Sequence, residues 1–352
     1  MEAKAKKTEI NVLNIFLCLL VMLIHCMGNA VSQTDPELGS YAVSAAIFRL
    51  SSFAVQGFIF LSAVKLFMKK DGAPYGQFML RRITSVFLPY IFYVLVYYLI
   101  RLFSKNEEFD ILYFIRSVFI GDMHAHFYFV VLIMQFYLLF PLFKKLYDKE
   151  NAAAVTALSF CVSLAFQFAF PHALNLLFGI DFIYTDRIFL TYFAYWTLGA
   201  FAGINYEAFK AALFKIKYPV FICFLIFAAI LCPENYRVMR FSEYIPGFGE
   251  LFFAYTFPAI LTFFILANLI SDLRIFKSGF FSLMNKVSYR VYLIHPIVLC
   301  LFDKLFGEIL KDNPAALNII RYLAVVIISF AVSMLIEKLK EVVIYLTKKL
   351  TA

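Results

Sequence analysis

The sequence predicts an all-α fold: a polytopic integral membrane protein of about ten transmembrane helices, with N and C termini both cytoplasmic. Three observations point there. Apolar residues make up 63% of the chain, with 45 Phe and 22 Tyr, and the mean hydropathy is +0.82; a soluble domain is closer to half apolar. These residues gather into runs of the length a bilayer-crossing helix requires, joined by short polar connections. The Lys and Arg residues collect on alternate connections, as they do on the cytoplasmic side of membrane proteins. Together these imply one integral domain over 1–352, without a soluble module, seated in a lipid bilayer.

The runs are 10–31, 42–67, 83–103, 126–143, 153–178, 187–204, 213–232, 248–270, 288–306 and 316–336. The first contains no Asp, Glu, Lys or Arg and reads as a span on composition alone. The second ends beside Lys65 and Lys69, and the third begins after Arg81 and Arg82, so basic residues bracket their connection. The longest polar stretch, 104–110, follows the third run and leads into an amphipathic piece, 111–120. The fourth run opens at His126 and closes before Lys144 and Lys145. The sixth begins at Asp186 and Arg187, and the eighth near Gly247, Gly249 and Glu250. The ninth carries His295 near its middle, and the tenth precedes a Lys-rich tail. With the N terminus inside, 22 of the 32 Lys and Arg fall on inner segments, which sets both termini inside and asks for an even number of spans.

The net charge of +9 therefore belongs to cytoplasmic loops and does not indicate nucleic-acid binding. The six cysteines are scattered, mostly within apolar runs, with no CxxC and no metal spacing, so they read as small packing residues and no metal is expected. No cleavable signal peptide is expected, because the first run is long and uniformly apolar. There is no Walker or GxGxxG loop, which argues against an ATP-driven pump.

The first run repays closer reading. At about 100° per residue, Asn11, Asn14, Cys18, Met22, His25 and Asn29 fall within one stripe. Polar groups in a spanning helix turn away from lipid toward the protein interior or a wet cavity. His25 is the one residue of that stripe able to take and give a proton near neutral pH, and it lies about 7 Å outside the middle of the helix. With the N terminus inside, His126, Asp186, Arg187, Glu250 and His295 also come to the outer half. The plain alternative, that loop ends are polar in any membrane protein, suffices for Asp186 and Glu250. It does not account for His25 and His295, which lie inside spans. Pro296 removes the helical donor to the carbonyl of residue 292, so a broken turn beside His295 is expected, lining a cavity or merely kinking the helix.

Four stretches resemble the acyltransferase 3 family of membrane O-acyltransferases: the end of the first run, LVMLIHC; VQGFIFLSAVKLF (55–67); LRRITSVFLPYI (80–91); and SYRVYLIHPIVL (288–299). Their order and spacing match along essentially the whole chain. HFYFVVLIMQFYLLF (126–140) and YFAYWTLGAFAGINYE (192–207) are similar to the subgroup of the poly-N-acetylglucosamine intercellular adhesion protein C type, to which either polymer export or polymer O-acylation is assigned. Asn14 stands where the family has an Arg eleven residues before the His, about 16 Å away on the same face, and Ser62-Ala63 replaces Ser-Gly. The resemblance implies transfer of an acyl group, acetyl above all, from a cytoplasmic acyl-CoA to a hydroxyl of an envelope carbohydrate, in a bacterial cytoplasmic membrane and alongside polysaccharide synthases. It implies His25, His295 and His126 as catalytic candidates, since alcohol acylation needs a base. Asn14, Arg81, Arg82 and Lys65 become candidates for the donor, whose phosphates suit Arg. Asp186, Arg187 and Glu250 remain as acceptor contacts. The alternative is a polysaccharide exporter whose polar line binds sugar without chemistry.

Overall fold

The computed structural model describes residues 7–69, 74–148, 150–309 and 313–350, and among these it contains helices and no strand. In chain order the first α-helices are α1 (Thr8–Gln33), α2 (Gly39–Ser51), α3 (Ala54–Phe67), α4 (Tyr75–Arg82), α5 (Leu88–Lys105) and α6 (Ile111–Ile120). They are followed by α7 (Tyr128–Leu138), α8 (Phe140–Leu146), α9 (Ala152–Leu164), α10 (Phe170–Phe178) and α11 (Phe193–Ile204). The last are α12 (Tyr206–Lys215), α13 (Lys217–Phe241), α14 (Phe248–Ile270), α15 (Gly279–Phe306) and α16 (Pro314–Leu350). Lys4, Lys6, Lys70, Lys149 and Lys311, which contribute to the charge pattern, lie outside the described residues.

Among the described residues, seven helical segments are long and apolar enough to cross a membrane, or eight if the bent pair α7–α8 is one span. Each of the ten apolar runs is helical, but two fall short of a simple span. The run 187–204 divides into a short 3-10 turn and the 12-residue α11. Helix α15 has 28 residues, yet Lys286, Arg290, Asp303 and Lys304 lower its apolar share. The α7–α8 pair bends by 54° just ahead of Pro141. His126 precedes α7 in a buried turn, so the fourth run starts two residues later than its hydropathy suggests. Prolines 89 and 171 each follow a π-helical turn, 83–87 and 165–169, that carries the chain from one helix to the next. The packing role expected of the cysteines holds for Cys18 and Cys26, which are buried; Cys161, Cys223 and Cys300 are exposed on helix surfaces.

The chain forms two compact units, Met1–Phe58 with Leu213–Ala352, and Ile59–Ala212. In the first, α1 is the central helix and packs against α2, α14, α15 and α16. Its Val12, Leu13, Leu17 and Met22 are buried to within 1%. In the second, Trp196 stacks on Phe136 at 4.4 Å and 12°. The polar side chains of α9 and α11 interlock: Ser159 and Thr197 hydroxyls lie 2.5 Å apart, and Tyr147 meets Thr156 at 2.6 Å. Such bonds hold apolar helices together where burial gives no preference for protein over lipid. Gly199 and Gly203, a GxxxG pair on α11, let α3 approach closely; a Cβ at Gly199 would collide with the Phe60 carbonyl, and one at Gly203 would meet the Val64 carbonyl at 2.9 Å.

Candidate active site

The polar line of α1 faces α15, and the two helices run parallel in matched register. Asn14 donates to Ser288 Oγ at 3.0 Å, and the Cys18 thiol lies 3.7 Å from the Ser288 carbonyl. The rings of His25 and His295 face each other with centroids 5.1 Å apart, tilted by 50°. Asn29 then donates to Asp303 Oδ2 at 2.9 Å. Ser288, His295 and Asp303 recur at seven- and eight-residue steps, which keeps them on one face of α15 as the stripe is kept on α1.

His295 is fully buried. Its Nδ1 lies 2.8 Å from the Tyr292 carbonyl and 3.3 Å from that of Val291. The Tyr292 carbonyl is the one that Pro296 leaves without its helical donor. The imidazole supplies that donor, and α15 continues through Pro296 without the expected broken turn. Because Nδ1 faces carbonyl oxygens it carries the ring proton, which makes Nε2 the acceptor nitrogen of the neutral ring. His25, half-buried, stands against this oriented ring.

The column ends in a buried charge network. Arg321 of α16 has no exposed surface; it donates to Asp303 Oδ1 at 2.6 Å, to Asn318 Oδ1 at 2.9 Å and to Gln33 Oε1 at 2.6 Å. A buried guanidinium is tolerable because each of its three nitrogens meets an oxygen. None of Arg321, Asp303, Asn318 and Gln33 is among the candidates that the sequence singles out. The available signal was an Arg five residues inside an apolar run, where an ionisable residue calls for a partner.

The other candidates stand elsewhere. Glu250 is exposed in the first turn of α14. His126 belongs to the second unit, where its Nδ1 lies 3.0 Å from that of His124 and both rings pack near Tyr97. Burial holds the His124 imidazole below its ordinary value of 6.5. Arg187 pairs with Asp186 at 2.6 Å and donates through Nε to the Ile120 carbonyl at 3.0 Å. Gln135 brackets the same loop, bonding the Arg187 carbonyl and the Phe189 amide. Arg187 is thus engaged in fixing the loop. Arg82 lies over the rings of Tyr137 and Phe78, at 4.6 and 5.1 Å, and close enough to half-buried Lys65 for the two cations to repel. Arg81 is exposed and donates to the Gln77 carbonyl. Asn14, the remaining donor candidate, is the partner of Ser288 in the first unit. Among the described residues no group of three or more His, Cys, Asp or Glu is arranged to hold a metal ion.

Comparison with known proteins bears on what this column does. Residues 7–338 match the model of the acyltransferase 3 family, described as an acyltransferase domain. A probable poly-beta-1,6-N-acetyl-D-glucosamine export protein of Staphylococcus aureus is 23% identical over 350 residues, covering 95% of this chain and 94% of that protein. The protein of that description from Staphylococcus epidermidis is 23% identical over 349 residues, with 95% and 93% covered. A putative membrane-bound acyltransferase of Bacillus subtilis, YfiQ, is 26% identical over 238 residues, 65% of each chain. No solved structure matches. The family match spans nearly the whole chain, so this protein belongs to the acyltransferase 3 family and is an acyltransferase of the membrane-embedded kind.

Proposed function

We propose that the chain, as a single acyltransferase domain, moves an acyl group, acetyl in the simplest case, from a cytoplasmic acyl-CoA to a hydroxyl of an envelope polysaccharide. The observation that carries this reading is the His25–His295 contact within a polar column. In the proposed step His25 takes the proton of the acceptor hydroxyl, and the oxygen attacks the thioester carbonyl. The carbon–sulfur bond then breaks, and the CoA thiolate recovers the proton from the imidazolium. His295 acts through His25: its Nδ1 is held by the Tyr292 carbonyl, and its fixed ring, 5.1 Å from that of His25 between centroids, orients the His25 imidazole that serves as base. Arg81, Arg82 and Lys65 are the proposed contacts for the CoA phosphates, and the carbohydrate class follows from the relatives' names.

The reading has the protein cross a bacterial cytoplasmic membrane ten times with both termini inside, working beside a polysaccharide synthase. Parallel packing of α1 and α15, seen in the order Asn14–Ser288, His25–His295, Asn29–Asp303, supports this, since the first and ninth spans of such a chain run the same way. Tags at Lys145 and Lys277 then report cytoplasmic, and tags at Glu37 and Asn235 external. A second reading, polysaccharide export without acyl transfer, is favoured by the names of the full-length relatives. Mass analysis of envelope glycans from cells with and without the gene separates the two. Acyl groups that depend on the gene support transfer; unchanged glycans in a changed location support export.

A further inference from the structure

Two cavities open off the helices that carry the histidine pair, and Asn318 borders both. One is polar, about 380 Å³, with Gln33, Asp303, Glu308, Asn318 and Arg321 in its lining. The other is apolar, about 540 Å³, lined by Leu23, Met27, Val43, Ile47, Ile319 and Leu323 of α1, α2 and α16. Both volumes are typical of ligand sites, about 300–1,000 Å³. The polar lining sets two carboxylates against one guanidinium, and that guanidinium is already held by Asp303, Gln33 and Asn318. This balance repels a phosphate-bearing ligand and suits a hydroxyl-rich one, which can use donors and acceptors in alternation. Asn29 lies one turn past His25 and holds Asp303, which is two turns past His295. The cavity therefore begins about 6–12 Å from the reacting pair. The apolar cavity is different in kind. Val43, Ile319 and Leu323 are 59%, 62% and 51% exposed on helices of bilayer-crossing length, so its wall is open to lipid. Asn318 joins the two, donating to Ser44 Oγ at 3.1 Å and accepting from Arg321.

We propose that the two cavities take one amphipathic ligand, a saccharide joined to a lipid chain. The sugar sits among Asp303, Gln33 and Arg321, and the first part of the chain lies along Val43, Ile47 and Ile319. The proposal rests on the reading that the acceptor is a carbohydrate and adds that it arrives from the bilayer. The test measures binding to the full-length protein in nanodiscs without acyl donor. The probes are an N-acetylglucosamine disaccharide joined glycosidically to an isoprenoid alcohol, the free disaccharide, and the isoprenoid alcohol alone. The lipid-linked probe is expected to bind about tenfold or more tightly than either part. Gln33→Leu weakens the lipid-linked and free sugars alike. Val43→Trp fills the apolar cavity and removes the advantage of the lipid chain while leaving the free sugar unaffected. Equal binding of lipid-linked and free sugar, binding of the isoprenoid alcohol as tight as that of the lipid-linked sugar, no binding at all, or binding indifferent to both variants overturns the proposal. Selective binding without acyl transfer from any donor leaves the two-cavity site standing and refutes the acyltransfer reading instead.

Discussion

Each unit of this protein holds a pair of histidines, and the two pairs are built in opposite ways. His25 and His295 come from helices far apart in the chain and meet inside a column of polar contacts that runs from Ser288 to Arg321. His124 and His126 are two residues apart in the turn before α7, bonded Nδ1 to Nδ1. In the first pair the ring of His295 is oriented by a backbone carbonyl and faces the ring of His25. In the second pair each ring uses its Nδ1 on the other, among the aromatic rings of Tyr97 and Phe127. The difference teaches that a histidine's neighbours, more than its burial, decide whether it can do chemistry. Both pairs contain a buried ring, but one sits in a polar column that leads to a cavity and the other among the aromatic rings of Tyr97 and Phe127.

The comparison breaks most readily in activity. His25→Ala should lower acyl transfer by about 10²–10⁴-fold, the contribution of a general base, whereas the double variant His124→Phe with His126→Phe should stay within a few-fold. Initial rates with purified protein decide it, and comparable losses in both variants would erase the distinction. Next in size is Arg321→Leu. It leaves the Asp303 carboxylate without its cation, with the Asn29 amide still donating to it, and should destabilise the protein by about 3–5 kcal/mol, read as a lowered midpoint in detergent-based thermal unfolding. His295→Phe should cost about 1–3 kcal/mol through the orphaned Tyr292 carbonyl and also slow transfer, while His295→Asn, which restores a donor, recovers stability without full activity.

The polar stripe of α1 was legible because a helix repeats its own geometry: one 3.6-residue period aligns Asn14, Cys18, His25 and Asn29. Its partners were not, because matching α1 to α15 requires an interhelical register that no local pattern encodes. Asp303 and Arg321 therefore do not stand out in the sequence. Asp186 and Arg187 show the same limit from another side. The sequence places two charges at an outer helix end, but it does not tell that the Arg also donates to the Ile120 carbonyl and to its neighbour. The helices themselves were readable from hydropathy. Their breaks were not, since the π turns before Pro89 and Pro171 answer to where each proline must be accommodated.

The smallest effect concerns pH. Burial keeps the His124 imidazole below 6.5 in the folded protein, so the unfolded chain binds the proton first as pH falls. Stability should accordingly be full above that value and decline below it. His124→Phe should flatten the decline between pH 7 and 5, and an unchanged slope would assign it to other groups.

The most direct test of the central claim compares wild type with His25→Gln in reconstituted vesicles, following labelled acyl groups from acyl-CoA to a carbohydrate acceptor. Gln keeps hydrogen bonding but cannot carry the proton. The account predicts that the variant remains folded and loses about 10²-fold or more of the wild-type rate. Near-normal transfer by His25→Gln would contradict it.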